Sequence, residues 1–333
     1  MHKVVLIPGD GIGPEISEAV KQILAAAKAP ISWVEASAGL TAYEAGGNPL
    51  PEETIDQIRR FKIALKGPLT TPVGAGFRSV NVNLRKVFNL YSNMRPAKTI
   101  PGLFERCGKV DMVLFRENTQ GMYSGVDRWV GEDRDRAEST SIVTRQASEG
   151  IVTAAFDYAK ASGRKKVTLV HKANILKCTS ALFLQVGREI AETYPEIQFE
   201  DLIVDNMAMQ MVLNPSRFDV VVTTNLFGDI LSDLASGLVG GLGLTGSANI
   251  GKDFAIFEAV HGSAPDIAGQ NKANPTALLF AAMMMLDHMD MGDIRQRIHT
   301  ATLATLQNKD HCTGDVGGCG STTGFADAIC AML

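Results

Sequence analysis

Short apolar runs alternate with amphipathic stretches along nearly the whole chain, and this alternation is the feature that most restricts the fold. Runs typical of strands are predicted at 3–7, 61–66, 110–115, 141–145, 166–171, 199–204, 218–223 and 254–258. Runs with the period of a helix are predicted at 14–27, 51–60, 149–161, 178–193, 226–236, 274–289 and 292–307. Strands that alternate with helices in this way predict an α/β fold.

The first strand-like run enters a glycine-rich turn, and residues 4–15 read VVLIPGDGIGPE. The spacing G-x-G-x-G differs from the G-x-G-x-x-G of dinucleotide-binding turns. Pro14 suits the first turn of a helix, and Glu15 favours a helix start but would oppose a phosphate. We therefore interpret the segment as a structural strand-to-helix turn, which leaves a nucleotide site elsewhere open.

Composition excludes several classes of protein. The 333 residues are 45% hydrophobic and carry a net charge of −4, which is ordinary for a globular chain and a poor match to general nucleic-acid binding. The five cysteines form no C-x-x-C pair, which argues against a disulfide framework and a zinc ribbon. No signal peptide is visible, and the longest apolar run, 277–286, is shorter than the roughly 20 residues of a membrane span. We expect a cytoplasmic protein that binds neither nucleic acid nor membrane.

Arginines are concentrated in residues 78–96, which read RSVNVNLRKVFNLYSNMRP. Arg85 and Arg95 lie on either side of an apolar run, and Arg116 directly follows the strand-like VDMVLF. Open α/β sheets bind ligands at the carboxyl ends of their strands. Arginines that converge there hold carboxylates or phosphates, whereas each one alone could equally be a surface or salt-bridge arginine.

Acidic side chains form a second group. Asp229 and Asp233, in FGDILSD, lie on one face of a predicted helix, and Asp205 stands at the end of the predicted strand LIVDN. Oxygen ligands of this kind suit Mg²⁺ or Mn²⁺. The alternative is an exposed helix face, although the apolar neighbours of the two aspartates favour a bound partner.

Two further side chains could move protons. Lys172 follows an apolar run at a predicted strand end, where burial would make it a base. Tyr123, in GMYSG, could be an acid. Neither role follows from the pattern alone.

Residues 261–274, HGSAPDIAGQNKAN, join a predicted strand to a predicted helix. Gly262, Ser263 and Ala264 are small enough for backbone amides to approach a phosphate. Asp266 could accept hydrogen bonds from a ribose diol and would oppose a 2′-phosphate, which favours NAD over NADP. A surface loop is the alternative. The glycine-dense residues 237–251 are interpreted as another loop.

Six segments together resemble the decarboxylating β-hydroxyacid dehydrogenases, the family of isocitrate, isopropylmalate, homoisocitrate and tartrate dehydrogenases. They are GDGIGPE, LRK…LY…RP, RENTQGMYSG, HKANILK, TNLFGDILSD and HGSAPDIAGQ…ANP, in the family's order along nearly the whole chain. The resemblance implies a large α/β domain, residues 1–94 and 240–333, that binds the cofactor at a non-Rossmann nucleotide site. It also implies a smaller α/β domain, residues 95–239, with a dimer-forming arm and the metal-binding aspartates.

The same resemblance implies a role for each group of residues. The substrate's malate carboxylates would be held by Arg85, Arg95 and Arg116. Tyr123 would protonate the enolate carbon, and Lys172 would lie near the substrate hydroxyl. Mg²⁺ or Mn²⁺ would be bound by Asp205, Asp229 and Asp233. Lys172 and Asp205 would come from the other subunit of a homodimer, so that the active sites are shared. NAD would be held by His261, Gly262, Ser263, Ala264, Asp266, Ile267 and Asn274.

The resemblance also narrows the substrate. Ser79 and Asn81, in the frame R-S-x-N-x-x-L-R, match isocitrate dehydrogenases, and their polar groups could hydrogen-bond a γ-carboxylate. We therefore favour NAD-dependent oxidative decarboxylation of isocitrate to 2-oxoglutarate. Homoisocitrate, 3-isopropylmalate and tartrate remain alternatives, since one methylene is poorly resolved by such a pocket. Rivals from other classes are a simple nucleotide- or anion-binding module and a non-catalytic regulatory subunit.

Overall fold

The computed structural model describes residues 1–71 and 79–333, and it has the expected α/β architecture. In chain order the strands are β1 (His2–Ile7), β2 (Ile31–Glu35), β3 (Ile63–Lys66), β4 (Ser92–Lys98), β5 (Asp111–Glu117), β6 (Asp127–Val130), β7 (Arg136–Ser139), β8 (Lys166–His171), β9 (Gln198–Ile203), β10 (Val220–Thr223), β11 (Gly246–Ile250) and β12 (Ala255–Ala259).

The helices complete the alternation. They are α1 (Gly13–Ala26), α2 (Leu40–Gly46), α3 (Glu52–Phe61), α4 (Val80–Val87), α5 (Arg145–Ala161), α6 (Thr179–Ala191), α7 (Val204–Leu213), α8 (Asn225–Leu238), α9 (Thr276–His288), α10 (Gly292–Leu306) and α11 (Thr322–Cys330). Over the described ranges, no helix is both long enough and apolar enough to cross a membrane.

The chain divides into two compact units. Unit 1 comprises residues 1–84, 100–105 and 240–333, and unit 2 comprises residues 85–99 and 106–239. The strands of unit 1 are ordered β2-β1-β3-β12-β11, and only the β11–β12 pair among them is antiparallel. Helix α9 lies against β11 and β12, and α1 contacts α11. The carboxyl ends of β1, β3 and β12 therefore lie at one edge of the unit 1 sheet.

The strands of unit 2 are ordered β4-β5-β10-β8-β9, and only the β4–β5 pair among them is antiparallel. Helix α8 lies against β4, β5 and β10, and α5 packs on β5, β8 and β10. The fully buried Phe156 on α5 stacks on Tyr194 at 4.9 Å between ring centroids. Strands β6 and β7 form a separate antiparallel hairpin. The two parallel strands β5 and β8 end just before Asn118 and Lys172, next to the residues that the sequence marks as functional.

Some predicted elements are wrong. Residues 141–145 form no strand; Thr144 instead caps α5, its side chain accepting a hydrogen bond from the amide of Ala147. Strand β11 occupies part of the glycine-dense segment that was interpreted as a loop, where a Cβ on Gly246 would overlap the backbone of α9. Asp205 lies in the first turn of α7 rather than at a strand end.

Candidate active site

Arg116 is the most enclosed charged group of unit 2. It lies in β5 and its side chain is 2% exposed. Its Nε and Nη2 donate to one oxygen of Asn225, at 3.0 and 2.7 Å, and its Nη1 donates to Asp229. Asn225 begins α8 and donates to the carbonyl of Gln120 at 3.0 Å. Asn225 and Asp229 therefore fix the guanidinium from two sides. A planar guanidinium that is held in this way has a defined orientation towards an anion.

Arg95 reaches the same helix from the neighbouring strand β4. Its Nε donates to Asn93 at 2.7 Å, and its Nη1 donates to Ser232 at 2.7 Å and to Asp233 at 3.2 Å. In the β4–β5 register, Asn93 is opposite Arg116. Burial, together with the positive charges of Arg85 and Arg95, lowers the pKa of Arg116 to about 10. The three arginines that the sequence singled out thus share one electrostatic environment.

Asp229 and Asp233 are one turn apart on α8 and have opposite pKa shifts. Burial would raise the pKa of Asp229, but the charge of Arg116 and the hydrogen bond from Tyr123 outweigh burial and lower it. Burial raises the pKa of Asp233, Arg95 offsets this in part, and the charge of Asp229 adds to it. A divalent cation would relieve the repulsion within this pair, and carboxylate oxygens are the donors that Mg²⁺ and Mn²⁺ prefer.

Within residues 1–71 and 79–333 of one copy, a third metal ligand does not join Asp229 and Asp233. In the described part of the sequence, no group of three His, Cys, Asp or Glu side chains is placed to hold a metal ion. Asp205 is instead paired closely with Lys172, and this hydrogen bond lowers the pKa of the Asp205 carboxyl. Its side chain is 69% exposed, so it is open to another molecule.

The two candidate proton carriers lie in different settings. The Tyr123 hydroxyl donates to Asp229, and the Tyr123 ring lies 5.1 Å below the guanidinium carbon of Arg116. Burial and Asp229 raise the pKa of Tyr123, which keeps the phenol protonated. Lys172 directly follows β8. No hydrogen bond or ion pair between the described residues joins the Tyr123–Asp229 pair to the Lys172–Asp205 pair.

Sequence reasoning missed the residues that hold these groups in place. Asn225 and Ser232 orient the two buried arginines, as described above. His171 supports the turn that carries Lys172, because its Nδ1 accepts from the amide of Ala173 at 3.0 Å and its Nε2 lies 3.2 Å from Asp201. Asn225 and Ser232 lie within TNLFGDILSD, so the motif was visible, but nothing in it indicated which side chain each one contacts.

The predicted cofactor loop borders a cleft in unit 1 of about 540 Å³. The cleft is lined by Ile12, Gly243, His261, Gly262, Ala264, Ile267, Lys272, Ala273, Asn274, Gly314, Asp315, Gly318, Cys319 and Gly320. The buried Nε2 of His261 has no hydrogen-bond partner within the described chain, and burial lowers the pKa of this imidazole. The unused nitrogen of this neutral ring can hydrogen-bond a polar ligand, and the small residues beside it leave room for phosphate groups.

Two of the predicted cofactor residues do not line this cleft. Ser263 is 9% exposed, and its hydroxyl shares a hydrogen bond of 2.7 Å with Thr70. Asp266 is exposed. Asn274 does line the cleft and is held there, because its amide donates to Asp315 at 3.0 Å.

The predicted substrate-specificity residues lie in unit 1. The Ser79 hydroxyl is 3.5 Å from the amide of Val82, at the start of α4. The buried Oδ1 of Asn81 has no hydrogen-bond partner in the described ranges. Arg78, the first residue of the R-S-x-N frame, lies outside them.

Residues 3–329 match the model of the isocitrate/isopropylmalate dehydrogenase family. The chain belongs to this family. The resemblance drawn from the six segments and the predicted fold are therefore confirmed. The crystal structure of isocitrate dehydrogenase from Methylococcus capsulatus is 54% identical and superposes with a TM-score of 0.97, covering 100% of this chain and 99% of the other.

Curated members of the family are similar over nearly the full chain. The mitochondrial NAD isocitrate dehydrogenase catalytic subunit 5 of Arabidopsis thaliana is 50% identical over 98% of this chain and 87% of its own length. The chloroplastic 3-isopropylmalate dehydrogenase of Solanum tuberosum is 50% identical over 91% of this chain and 85% of its own length. A mitochondrial regulatory subunit of NAD isocitrate dehydrogenase from Dictyostelium discoideum is also 50% identical, over 99% of this chain and 91% of its own length.

One expectation is overturned by these relatives. The prediction of a cytoplasmic location is wrong, because NAD isocitrate dehydrogenase relatives from Arabidopsis thaliana, Drosophila melanogaster and Bos taurus are mitochondrial proteins.

Proposed function

We propose that this chain is a catalytic NAD-dependent isocitrate dehydrogenase, which converts isocitrate to 2-oxoglutarate and CO₂ with Mg²⁺ or Mn²⁺. The observation that carries the proposal is the hydrogen-bonded set Arg116, Tyr123 and Asp229, with Arg95 against the same helix. This set combines anion-binding groups, a protonated phenol and a carboxylate in one place. Relatives about 50% identical over nearly the whole chain are named as NAD isocitrate dehydrogenases, which supports the choice of reaction.

The side chains divide the work of the reaction between them. Arg95 and Arg116 bind the substrate carboxylates, because paired N–H donors match the two oxygens of a carboxylate. Lys172 takes up the proton of the substrate hydroxyl, and Tyr123 donates a proton to the carbon that loses CO₂. Bound NAD would supply the hydride acceptor, and Asp205, Asp229 and Asp233 would hold a divalent cation that would supply Lewis acidity.

Most of the groups proposed for the substrate lie in unit 2. Unit 2 carries the arginines, the proton carriers and the aspartates, and unit 1 carries the cleft beside His261 and Asn274. Ser79 and Asn81 are proposed to recognise the γ-carboxylate of isocitrate. The side-chain nitrogen of Asn81 can donate to a carboxylate, whereas an isopropyl group offers it no acceptor, which supports this role.

A homodimer with shared active sites is proposed as the working form. Several large apolar side chains of α7 and α8 are exposed, which is typical of an interface between subunits. They are Met209, Val212, Leu213, Leu226 and Ile230. Asp205 lies on the same helix α7, so a second copy that covers this surface would also meet Asp205 and its partner Lys172.

The activity is tested by following NADH formation with Mn²⁺, offering isocitrate, homoisocitrate, 3-isopropylmalate and tartrate in parallel, with EDTA as the control. The proposal expects isocitrate to give the highest kcat/KM and EDTA to abolish turnover. A higher kcat/KM with one of the other acids would refute the roles of Ser79 and Asn81. Absence of turnover with every acid would favour a regulatory role, which is the role named for the Dictyostelium relative.

The shared site is tested by complementation. Lys172→Ala and Tyr123→Phe should each be inactive as homodimers. If Lys172 serves the partner's site, a co-expressed and doubly tagged heterodimer contains one site with both wild-type residues and regains activity. An inactive heterodimer would show that each chain completes its own site.

A further inference from the structure

The glycine turn at the start of the chain lies directly behind the cofactor loop. The amide of Ile12 donates to the carbonyl of Ser263 at 2.9 Å. Gly11 has φ +58°, and a Cβ at this position would overlap the same carbonyl. Ile12 itself lines the cleft. Position 11 therefore requires glycine, because the cofactor loop rests on its backbone.

Glu15 makes a second connection, from the first turn of α1 to the other end of the loop. One carboxylate oxygen accepts from the amide of Asn271 at 3.2 Å, and the other accepts from the amide of Ala273 at 3.3 Å. Hydrogen bonds to an ionised carboxylate are stronger than neutral ones. The carboxylate thereby fixes the backbone on both sides of Lys272.

The segment that Glu15 holds contributes directly to the cleft. Lys272, Ala273 and Asn274 all line it, whereas Glu15 does not. The negative charge of Glu15, which would repel a phosphate, is instead directed at backbone amides. Asn271 has φ +59°, a conformation that asparagine tolerates better than most residues, and its side chain is also hydrogen-bonded to Thr323.

We propose that Glu15 is a positioning residue for NAD, which holds residues 271–274 in the geometry that the dinucleotide requires. This inference rests on the proposed function, since it takes the cleft to be the NAD site. Glu15 then acts on the cofactor without lining its cleft, through a loop 256 positions further along the chain.

The test compares three variants in the full-length enzyme. Glu15→Ala removes both acceptors, and Glu15→Gln keeps one. Glu18→Ala is the matched control, because Glu18 lies on the same helix, is 69% exposed and forms its ion pair with the nearby Lys21. NADH affinity is measured by fluorescence titration without substrate, the melting temperature by calorimetry, and KM for NAD and for isocitrate by initial rates.

Glu15→Ala is expected to raise the NADH Kd and the KM for NAD about tenfold, as loss of one to two such hydrogen bonds implies. The KM for isocitrate should stay within about twofold of wild type, a change too small to reflect a lost hydrogen bond. Glu15→Gln should show a smaller loss, and Glu18→Ala should match wild type. Should Glu15→Ala fail to fold, Glu15→Gln carries the same comparison.

Two results would overturn the inference while the proposed function stands. One is an NADH Kd in Glu15→Ala equal to that of Glu18→Ala. The other is a lower melting temperature with unchanged NADH affinity, which would make Glu15 purely structural. A wild-type enzyme that binds no NADH would overturn the proposed function itself.

Discussion

Asn225 accepts two hydrogen bonds from the guanidinium of Arg116 on a single carboxamide oxygen. Arg116 and Asn225 are both buried, so neither N–H of the arginine could turn to water if that oxygen were removed. The orientation of a proposed substrate-binding group thus depends on a side chain that the substrate need not touch.

Asn225→Ala should weaken the use of isocitrate. Unpaired buried donors cost about 1–3 kcal/mol, and a similar loss in transition-state binding lowers kcat/KM about tenfold to a hundredfold. Steady-state kinetics with isocitrate and direct NADH titration would separate the two ligands, since NADH affinity should not change. Asn214→Ala, an exposed asparagine at the end of α7, is the control. Equal kinetics in both variants would contradict the positioning role of Asn225.

Gly228→Ala should displace Arg116. A Cβ at Gly228 would lie 2.6 Å from Cγ and 2.7 Å from Cβ of the arginine, too close for either atom to remain in place. We expect a loss of isocitrate turnover with a protein that still melts cooperatively.

Gly237→Ala is the matched control for Gly228→Ala, since Gly237 lies in the same helix and an added Cβ there would meet no atom of the described chain within 4 Å. Its activity should be unchanged, and its stability should rise by up to about 1 kcal/mol from helix propensity. Wild-type kinetics in Gly228→Ala would mean that Arg116 is not held by packing against α8.

Stability should depend on pH through Arg164, which donates to Asp219 at 2.8 Å and to Asp111 at 2.5 Å. Burial would raise the pKa of Asp111, but Arg164 outweighs burial and lowers it below its ordinary value of 3.8. A carboxyl with a lowered folded-state pKa contributes stability above its unfolded pKa and loses it as the pH falls through the folded one.

Arg164→Ala should therefore be less stable than wild type at about pH 7, and the difference should shrink below pH 3.8. Urea unfolding at several pH values measures this. Arg128→Ala, which breaks an exposed pair with Glu138, should show little difference at any pH. A stability gap for Arg164→Ala that is constant across the range would rule out the ion pair as its cause.

Asp266→Asn should narrow the preference for NAD over NADP. The carboxylate is exposed beside the cleft residue Ile267, where its charge would oppose a 2′-phosphate. The ratio of kcat/KM values for the two cofactors measures the effect, and Asp253→Asn, another exposed aspartate of unit 1, should leave the ratio unchanged. Equal use of both cofactors by wild type would remove the role assigned to Asp266.

Much of the fold could be predicted because periodicity marks elements that bury one apolar face. Helix α1 buries Ile16, Val20 and Leu24, as its sequence indicates, and β8 matches its predicted bounds. Strand β4 was missed because SNMRPAK contains Asn93 and Arg95, which are buried by pairing rather than by hydrophobicity. The β-branched residues within 141–145 wrongly predicted a strand, because Thr144 is instead the N-cap of α5.

The candidate site could be predicted only as a set of segments. Spacing placed Asp229 and Asp233 on one face, and the structure has them one turn apart on α8. It could not show that Asp229 pairs with Arg116 and Tyr123, because those contacts join residues 113 and 106 positions apart. The interpretation of the glycine turn as structural did not reveal that it supports the cofactor loop, for the same reason.

The discontinuity of unit 1 has a consequence for biosynthesis. Strand β1 and the turn after it are synthesised before unit 2, but their partners Ser263, Asn271 and Ala273 are made only after all of unit 2. Contacts so distant in sequence close large loops, which is slow compared with local folding. Residues 1–84 must wait with an exposed parallel edge while unit 2 folds, and nascent chains with such exposed edges are prone to aggregate and need chaperones.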